Sequence, residues 1–471
     1  MYTPLISKSR LFTNEKYAIL VVFALCVALR ATPELMAYPY PIGFDVINYY
    51  MPTITNFEHK WDTVSKQFPL YVTFLYLINI TTGLSAYSVV ATVIIVMTGI
   101  FGISLFYLGR NLLKLGISHS AYIAIFAIVQ LPVLRTTWDF HRDIFALTTM
   151  MFVFSLIIRK NAGWKSLAII LVLTSLTVAA DRMVGALFSA SLVIYAILTR
   201  RRGVALTGIF AMAMFCALSV STQSTPDIKT ITSTEIPQNN TELKQFYNPA
   251  DLLISFVVTN GLLVAAAAIG FLKTKNNSLL LKIPLLVCLM GSFSWLVFPE
   301  SRHLLADRWI ILAGIFLSVF AGYGVLHLVR NLKRRFTIAG FILGAFAVLG
   351  VSYAVIPNHN ASALYGIFGL HSQNLPPLTM QFNTIDINDN DDLLSAIAWI
   401  NKNTEKNALI VGESHLRGFM ELYLEGNRTF IFSEDPQTFA ETLTNRRQPV
   451  YLIEFNSTSS PVFVVKDVRN R

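Results

Sequence analysis

Four short stretches of this chain carry ionisable side chains in combinations that could do chemistry. "GFDVINYY" sets Asp45 ahead of Tyr49 and Tyr50, and "RTTWDFHRD" supplies Asp139, His141, Arg142 and Asp143. "ADR" gives Asp181 and Arg182, and "PESRHLLADRW" holds Glu300, Arg302, His303, Asp307 and Arg308. Arginine meets phosphate with a planar fork of donors, which suits a lipid phosphate or pyrophosphate head group. A carboxylate can take the proton of an acceptor hydroxyl, or orient that hydroxyl for attack on a sugar carbon. Asp139 and Asp143, four apart at a helix start, could share one face and hold a divalent cation, magnesium or manganese, with help from His141.

Each group also has a plainer role. Asp45, Asp139 and Asp143 could be N-caps, accepting hydrogen bonds from the unpaired amides of a helix start. Arg182 and Arg308 could be anchors whose stems lie along lipid while their heads reach water. What sets the groups apart is their common position at one water–lipid boundary.

That boundary follows from the elements between them. Hydrophobic residues make up 54% of the chain and charged residues 14%. Apolar runs recur near 17–35, 85–107, 119–134, 144–158, 166–180, 183–199, 203–220, 252–271, 283–298, 309–329 and 337–356, about eleven helical spans. The first run is too long for a signal-peptide core, and no small-residue cleavage site follows it. Lys8, Arg10 and Lys16 precede it, and alternate loops carry the later clusters of Lys and Arg, such as Arg200–Arg202 and Arg330–Arg335. Basic loops belong to the cytoplasmic side, so the N-terminus is read as inside and the C-terminal segment as outside. Apart from Glu15, the acids fall outside or at outer helix ends. The net charge of +10 is therefore a record of membrane topology, and no nucleic-acid partner is implied.

Residues 1–356 read as a multi-span transmembrane domain with a long, aromatic, proline-broken first exterior loop over 36–68. Pro69 to Thr81 is a half-length apolar piece, re-entrant or an extension of the next span. Residues 357–471 change composition to that of a soluble α/β domain. "DNDDLLSAIAWINKN" predicts a helix capped by Asp389 or a neighbour, "ALIVG" a buried strand, and "ESHLRGFMELYLEG" a helix ending at Gly426. "RTFIFS", "PQTFAETLTNRR", "PVYLIEF" and "PVFVVKDV" continue the alternation. Cys26, Cys216 and Cys288 all sit in expected spans, so no disulfide framework serves the exterior segment.

With these residues placed, the chain resembles the GT-C glycosyltransferases, the multi-span enzymes that use polyprenyl-phosphate-linked sugars. Members include protein mannosyltransferases, aminoarabinose transferases and oligosaccharyltransferase catalytic subunits. The resemblance rests on "GFDVINYY", on "FPLYVTFLYLINITTGLS" followed by "LFYLGRNL", on "HRDIFALTTMM", on "ADRWIILAGIFL" and on "AIAWINKNTEKNALIVG". It implies that Asp45 is the catalytic acid of the first loop, and that one or more of Arg142, Arg302 and Arg308 hold the donor phosphate. The paired Asp-Glu of the mannosyltransferases is Asp45-Val46 here, so a second acid must come from Asp139 or Asp143. The WWDYG signature of oligosaccharyltransferases is missing, with "GESHLRG" in the comparable place.

The sequence thus predicts a membrane glycosyltransferase that moves a sugar from a polyprenyl-phosphate donor to an exterior acceptor. Tyr49, His141, Asp181, Arg182 and His303 are its supporting residues, and the residues do not choose between inversion and retention. Two rivals fit the architecture: a transporter of lipid-linked saccharides, which needs polar groups at membrane depth, and a non-catalytic assembly protein with a degenerate site.

Overall fold

Lipid is as apolar as leucine, so helices in a bilayer gain little from hiding apolar surface against one another. Close packing through small residues decides their pairing, and the computed structural model of this chain shows where. It describes residues 14–66, 68–158, 164–222, 249–275, 278–298, 306–357, 379–433, 435–443, 448–455 and 462–468. Helix α1 (Glu15–Ala37) starts at Asn14, whose side chain accepts from the Lys16 amide at 3.0 Å. It lies against α5 (Ala86–Asn111) where Gly99 and Gly102 leave room: a Cβ at Gly102 would sit 2.5 Å from Cys26 Sγ.

The same device joins α12 (Pro249–Lys273) to α14 (Ala306–Val329). Gly270 faces the Phe320 carbonyl and Gly324 the Ala266 carbonyl, so close that a Cβ at either would stand 1.9 Å from the opposing oxygen. Asn260 adds a hydrogen bond across the pair, from Nδ2 to the Ile310 carbonyl at 3.2 Å. Helix α14 is the centre of the bundle, and every residue from Ile310 to Gly322 is buried.

Around it stand α6 (Ile117–Ile128), α7 (Leu131–Asp139), α8 (His141–Ile157), α9 (Trp164–Ala180), α10 (Arg182–Thr199), α11 (Arg202–Ser221), α13 (Leu279–Phe293) and α15 (Arg335–Val355). Among the described residues eight helices are long and apolar enough to cross a membrane, or nine if α6 and α7 count as one span broken by 62°. The chain is a multi-pass membrane protein. All eleven apolar runs of the sequence are helical, but three differ from unbroken spans. The run near 119–134 bends at Gln130, where Pro132 opens α7, and continues to Asp139. The run near 144–158 begins with His141, Arg142 and Asp143, and α9 stops at 17 residues.

The segment between α1 and α5 folds as a chain of short helices. A π-helix spans Val46–Tyr50, followed by α2 (Met51–Thr55), α3 (Phe57–Ser65) and α4 (Leu70–Thr82). Helix α4 is separate from α5; it ends at Gly83, whose left-handed φ of 67° an L residue would resist.

Residues 379–468 contribute a four-stranded sheet of order β2-β1-β3-β4. Strand β1 (Leu409–Gly412) pairs parallel with β2 (Thr429–Phe432) and β3 (Val450–Phe455), and β3 pairs antiparallel with β4 (Phe463–Asp467). Helices Asn390–Asn403, Arg417–Tyr423 and Pro436–Thr442 flank it. Leu393, Ile397 and Ile400 face inward, while Asp389 makes no side-chain cap and Asp386 accepts the Asn388 amide instead. The second helix stops at Tyr423, three residues short of Gly426, whose φ is 75°.

This unit does not stand apart from the first loop. Ile47, Tyr50, Met51 and Ile54 share one apolar core with Leu393, Ile397, Phe419 and Met420. Gly418 permits the approach, since a Cβ there would lie 2.3 Å from the Ile47 carbonyl, and its amide donates to Asn48 Oδ1 at 3.0 Å. A connecting stretch sews the parts together. Gln381 Nε2 donates to the Pro33 carbonyl at 3.2 Å and the Ala354 carbonyl at 2.9 Å, and Asn383 Nδ2 to the Pro41 carbonyl at 3.0 Å.

Candidate active site

The site begins with one glycine. Gly43 has a φ of 100°, and a Cβ on it would stand 2.3 Å from the Trp138 carbonyl. Only glycine lets the loop cross this close to the end of α7. The crossing is held from the other side by the Gly43 amide donating to the Phe382 carbonyl at 3.0 Å, and by the Trp138 indole donating to Met380 and Phe382 carbonyls at 3.0 and 3.1 Å.

Two residues later the loop delivers Asp45. Its amide donates to Asp139 Oδ1 at 2.5 Å, and Arg135 Nη1 lies 3.3 Å from the other oxygen of Asp139. Asp139 is the last residue of α7 and is buried. Asp45 makes no side-chain cap, so its carboxylate is free to face the site. The N-cap readings of Asp45, Asp139 and Asp143 are therefore corrected: the first caps nothing, the second ends a helix, and the third lies inside the first turn of α8, whose N-cap is Phe140. Asp181 alone of the four acids is a cap, accepting from the Val184 amide at 2.9 Å.

Three guanidinium groups surround the carboxylates. Arg135 lies 4.4 Å from the centre of the Trp138 ring and 4.8 Å from that of Phe140, and Arg308 lies 4.6 Å from the same Phe140 ring. Arg142 lies 5.3 Å from the Tyr49 ring. Stacking on aromatic faces holds the guanidinium planes without using up their hydrogen-bond donors. Arg135 Nε and the hydroxyl of Tyr49 are buried with no hydrogen-bond partner among the described residues. Unpaired buried donors are costly, and an ordered water or the oxygen of an anionic ligand would satisfy them.

Burial, and after it the neighbouring Asp139 carboxylate, raise the pKa of Asp45 to about 7, against the pull of Arg308, Arg142 and Arg135. A carboxylate tuned near neutrality is suited to taking a proton in a transition state.

Of the residues singled out from the sequence, the fold brings Asp45, Asp139, Arg142, Arg308 and Tyr49 together, with Asp143 beside Asp181 and within the field of Arg308 and Arg142. His141 is buried a step behind, its ring stacked on Tyr50 at 5.1 Å and 7°. Arg182 is exposed next to the Asp181 cap. Glu300, Arg302 and His303 lie outside the described residues.

The single helical face expected to carry both Asp139 and Asp143 does not form. Phe140, at φ −90° and ψ 60°, ends α7 and starts α8, so the two acids sit on different helices and share no face. Among the described residues no three His, Cys, Asp or Glu side chains are grouped to hold a metal ion.

Two features escaped the sequence reading. Arg135 stands four residues before Asp139, an i,i+4 spacing that marks an ion pair once the stretch is known to be helical. Arg30 and Glu34 form a buried pair at 2.8 Å inside α1, and Arg30 Nε also donates to the Thr137 carbonyl at 3.2 Å. This pair ties α1 to the end of α7, one turn before Asp139's helix gives way to α8.

No family model matches the sequence, and no curated protein matches it. Solved structures do. An archaeal oligosaccharyltransferase, AglB from Archaeoglobus fulgidus in complex with an inhibitory peptide and a dolichol-phosphate, aligns with a TM-score of 0.54 at 12% identity, covering 93% of this chain and 69% of that one. ArnT from Cupriavidus metallidurans in the apo state aligns with a TM-score of 0.53 at 14% identity, covering 93% of both chains. The same ArnT bound to undecaprenyl phosphate aligns with a TM-score of 0.52 at 12% identity, covering 92% of both. Both neighbours are GT-C glycosyltransferases, and the likeness is one of fold.

Proposed function

We propose that this chain, whose fold is that of the GT-C glycosyltransferases, transfers a sugar from a polyprenyl-phosphate-linked donor to an acceptor on the outer side of the membrane. The observation that carries the reading is the placement of Asp45: held through its backbone by Asp139, its carboxylate lies among Arg135, Arg142 and Arg308. A carboxylate beside several guanidinium groups that stack on rings suits a reaction with a hydroxyl at one end and a phosphate at the other.

In the proposed reaction the acceptor hydroxyl attacks the anomeric carbon of the donor sugar. The new carbon–oxygen bond forms as the bond from that carbon to the phosphate oxygen breaks, and the electron pair leaves with the polyprenyl phosphate. The guanidinium groups of Arg135, Arg142 and Arg308 stabilise the added charge on the phosphate. The hydroxyl proton passes to Asp45, whose affinity for it is already raised. Asp139 acts as a positioning residue, because its contact with Asp45 is through the backbone amide. We place the face bearing Asp45, and the sheet of residues 379–468 above it, on the outer side of the membrane, in keeping with the basic loops at the opposite end. The shared core of that sheet unit and the first loop supports a role in presenting the acceptor to Asp45.

The test is transfer in reconstituted membranes with a panel of radiolabelled polyprenyl-phosphate sugars, native chain against Asp45→Asn. Transfer by the native chain alone supports the proposal. Equal transfer by both removes Asp45 from the chemistry, and translocation of the sugar-lipid with no new glycosidic bond would make the chain a transporter.

A further inference from the structure

The end of the bundle opposite Asp45 holds a cavity of about 210 Å³ between α6, α14 and α15. Among its lining residues are His119, Tyr323, His327, Arg330, Arg335 and Phe336. The basic groups are arranged around rings and one another. His119 stacks on Phe336 at 6.2 Å, Arg335 lies 5.0 Å from the same ring, and Arg330 Nη1 is 3.5 Å from His327 Nδ1.

Among the described residues no acid lines the cavity. The sequence has no Asp or Glu between Asp62 and Asp139, nor between Asp307 and Asp386, and these two stretches supply the whole lining. Glu15, an acid at this end of the bundle, faces Arg110 at 3.8 Å. Basic loops are ordinary at a cytoplasmic surface and need no ligand. A topology signal, however, does not require four nitrogen-bearing side chains from α6, α14, the turn after α14 and α15 to converge on one cavity. Arg330 and Arg335 bring two like charges to a lining that holds no acid, and a bound anion would relieve them.

We infer that this cavity binds a phosphate group, that of an anionic phospholipid headgroup. Arg330 and Arg335 at the mouth supply planar donor forks for the phosphate oxygens, and the half-buried His119 and Tyr323 add ring and hydroxyl donors behind them. The lipid source is favoured by the lining itself: Phe336 is an exposed apolar side chain, and Leu115, Leu326 and Ala339 add apolar surface along which an acyl chain would lie. Basic pockets between spans are a recurrent way of holding acidic lipids.

Full-length protein in detergent is examined by native mass spectrometry with added phosphatidylglycerol or phosphatidylcholine, and by thermal shift with inorganic phosphate. The charge pair Arg330→Gln/Arg335→Gln is compared with Lys333→Gln/Arg334→Gln, which removes two charges from the same turn but outside the cavity. The expected result is a preference for phosphatidylglycerol that falls by about tenfold in the cavity variant relative to the control. Stabilisation by inorganic phosphate as strong as that by phosphatidylglycerol, lost in the cavity variant, supports the phosphate site and assigns its source to the soluble ion. Equal loss in both variants, or no preference in the native chain, overturns the site and leaves only the general attraction of a basic surface.

Discussion

Asp139 accepts the backbone amide of Asp45 at 2.5 Å across 94 residues of sequence. That bond helps to fix the first loop against the end of α7, and it leaves the Asp45 carboxylate free while Asp139 is spent on the amide and on Arg135. Two acids that look alike in the sequence thereby acquire different roles.

Asp45→Asn keeps the size of the side chain and removes its ability to accept a proton. Sugar transfer is expected to fall by about 10²–10⁴-fold, the usual contribution of a positioned base. The melting temperature at neutral pH should not fall, because Asp45 is held by its backbone. A variant with native turnover would remove Asp45 from the reaction.

Asp45 also predicts two pH dependences of opposite sense. Transfer should rise with pH through about 7 as the carboxylate ionises. Stability should move the other way. The folded-state pKa lies above the unfolded one, so between them the native state binds more protons, and stability falls as pH rises from about 4 to about 7. Thermal melts of native and Asp45→Asn protein at pH 4 and pH 8 check this: the variant should gain on the native chain at pH 8 relative to pH 4. Parallel shifts at both pH values would show that Asp45 titrates as it does in the unfolded chain.

Arg308→Lys keeps the charge but loses the plane that stacks on Phe140 and the fork of donors. Transfer should drop by about tenfold or more, with the larger effect on donor concentration dependence, while Arg308→Ala should lose more than that. Initial rates against donor concentration separate the two. Equal activity of the lysine variant and the native chain would count against phosphate recognition by a guanidinium fork here.

Gly43→Ala places a methyl group 2.3 Å from the Trp138 carbonyl, at a φ of 100°. The strain is expected to cost about 1–3 kcal/mol and to move Asp45 off Asp139. A lowered melting temperature together with lost transfer is the expected outcome.

Gly418→Ala acts at a distance from the reacting groups, where its methyl would meet the Ile47 carbonyl at 2.3 Å. Helix Arg417–Tyr423 should lift from the π-helix that follows Asp45. Limited proteolysis should then cut the 379–468 segment sooner than in the native protein, with transfer reduced. Unchanged cleavage and activity would show that the contact positions nothing.

Much of this protein is determined locally, and so was legible in the sequence. Apolar runs of span length must cross lipid as helices, because unpaired backbone groups are too costly there. The gathering of acids at one end of those helices, Asp45, Asp139, Asp143, Asp181 and Asp307, follows from the same hydropathy. The alternation of helix and strand after residue 379 is likewise written in short-range pattern. Which of the acids would meet was not. The spacing of Asp139 and Asp143 pointed to one helical face, but Phe140 breaks the helix between them, and no proline or glycine in the sequence there marks the break. The partnership of Asp45 with Asp139, the stacking of Arg135 and Arg308 on one phenylalanine, and the shared core of Ile47 and Phe419 join residues far apart in the chain. Such contacts depend on where glycines such as Gly43, Gly102 and Gly418 let backbones come close, and only the tertiary structure decides that.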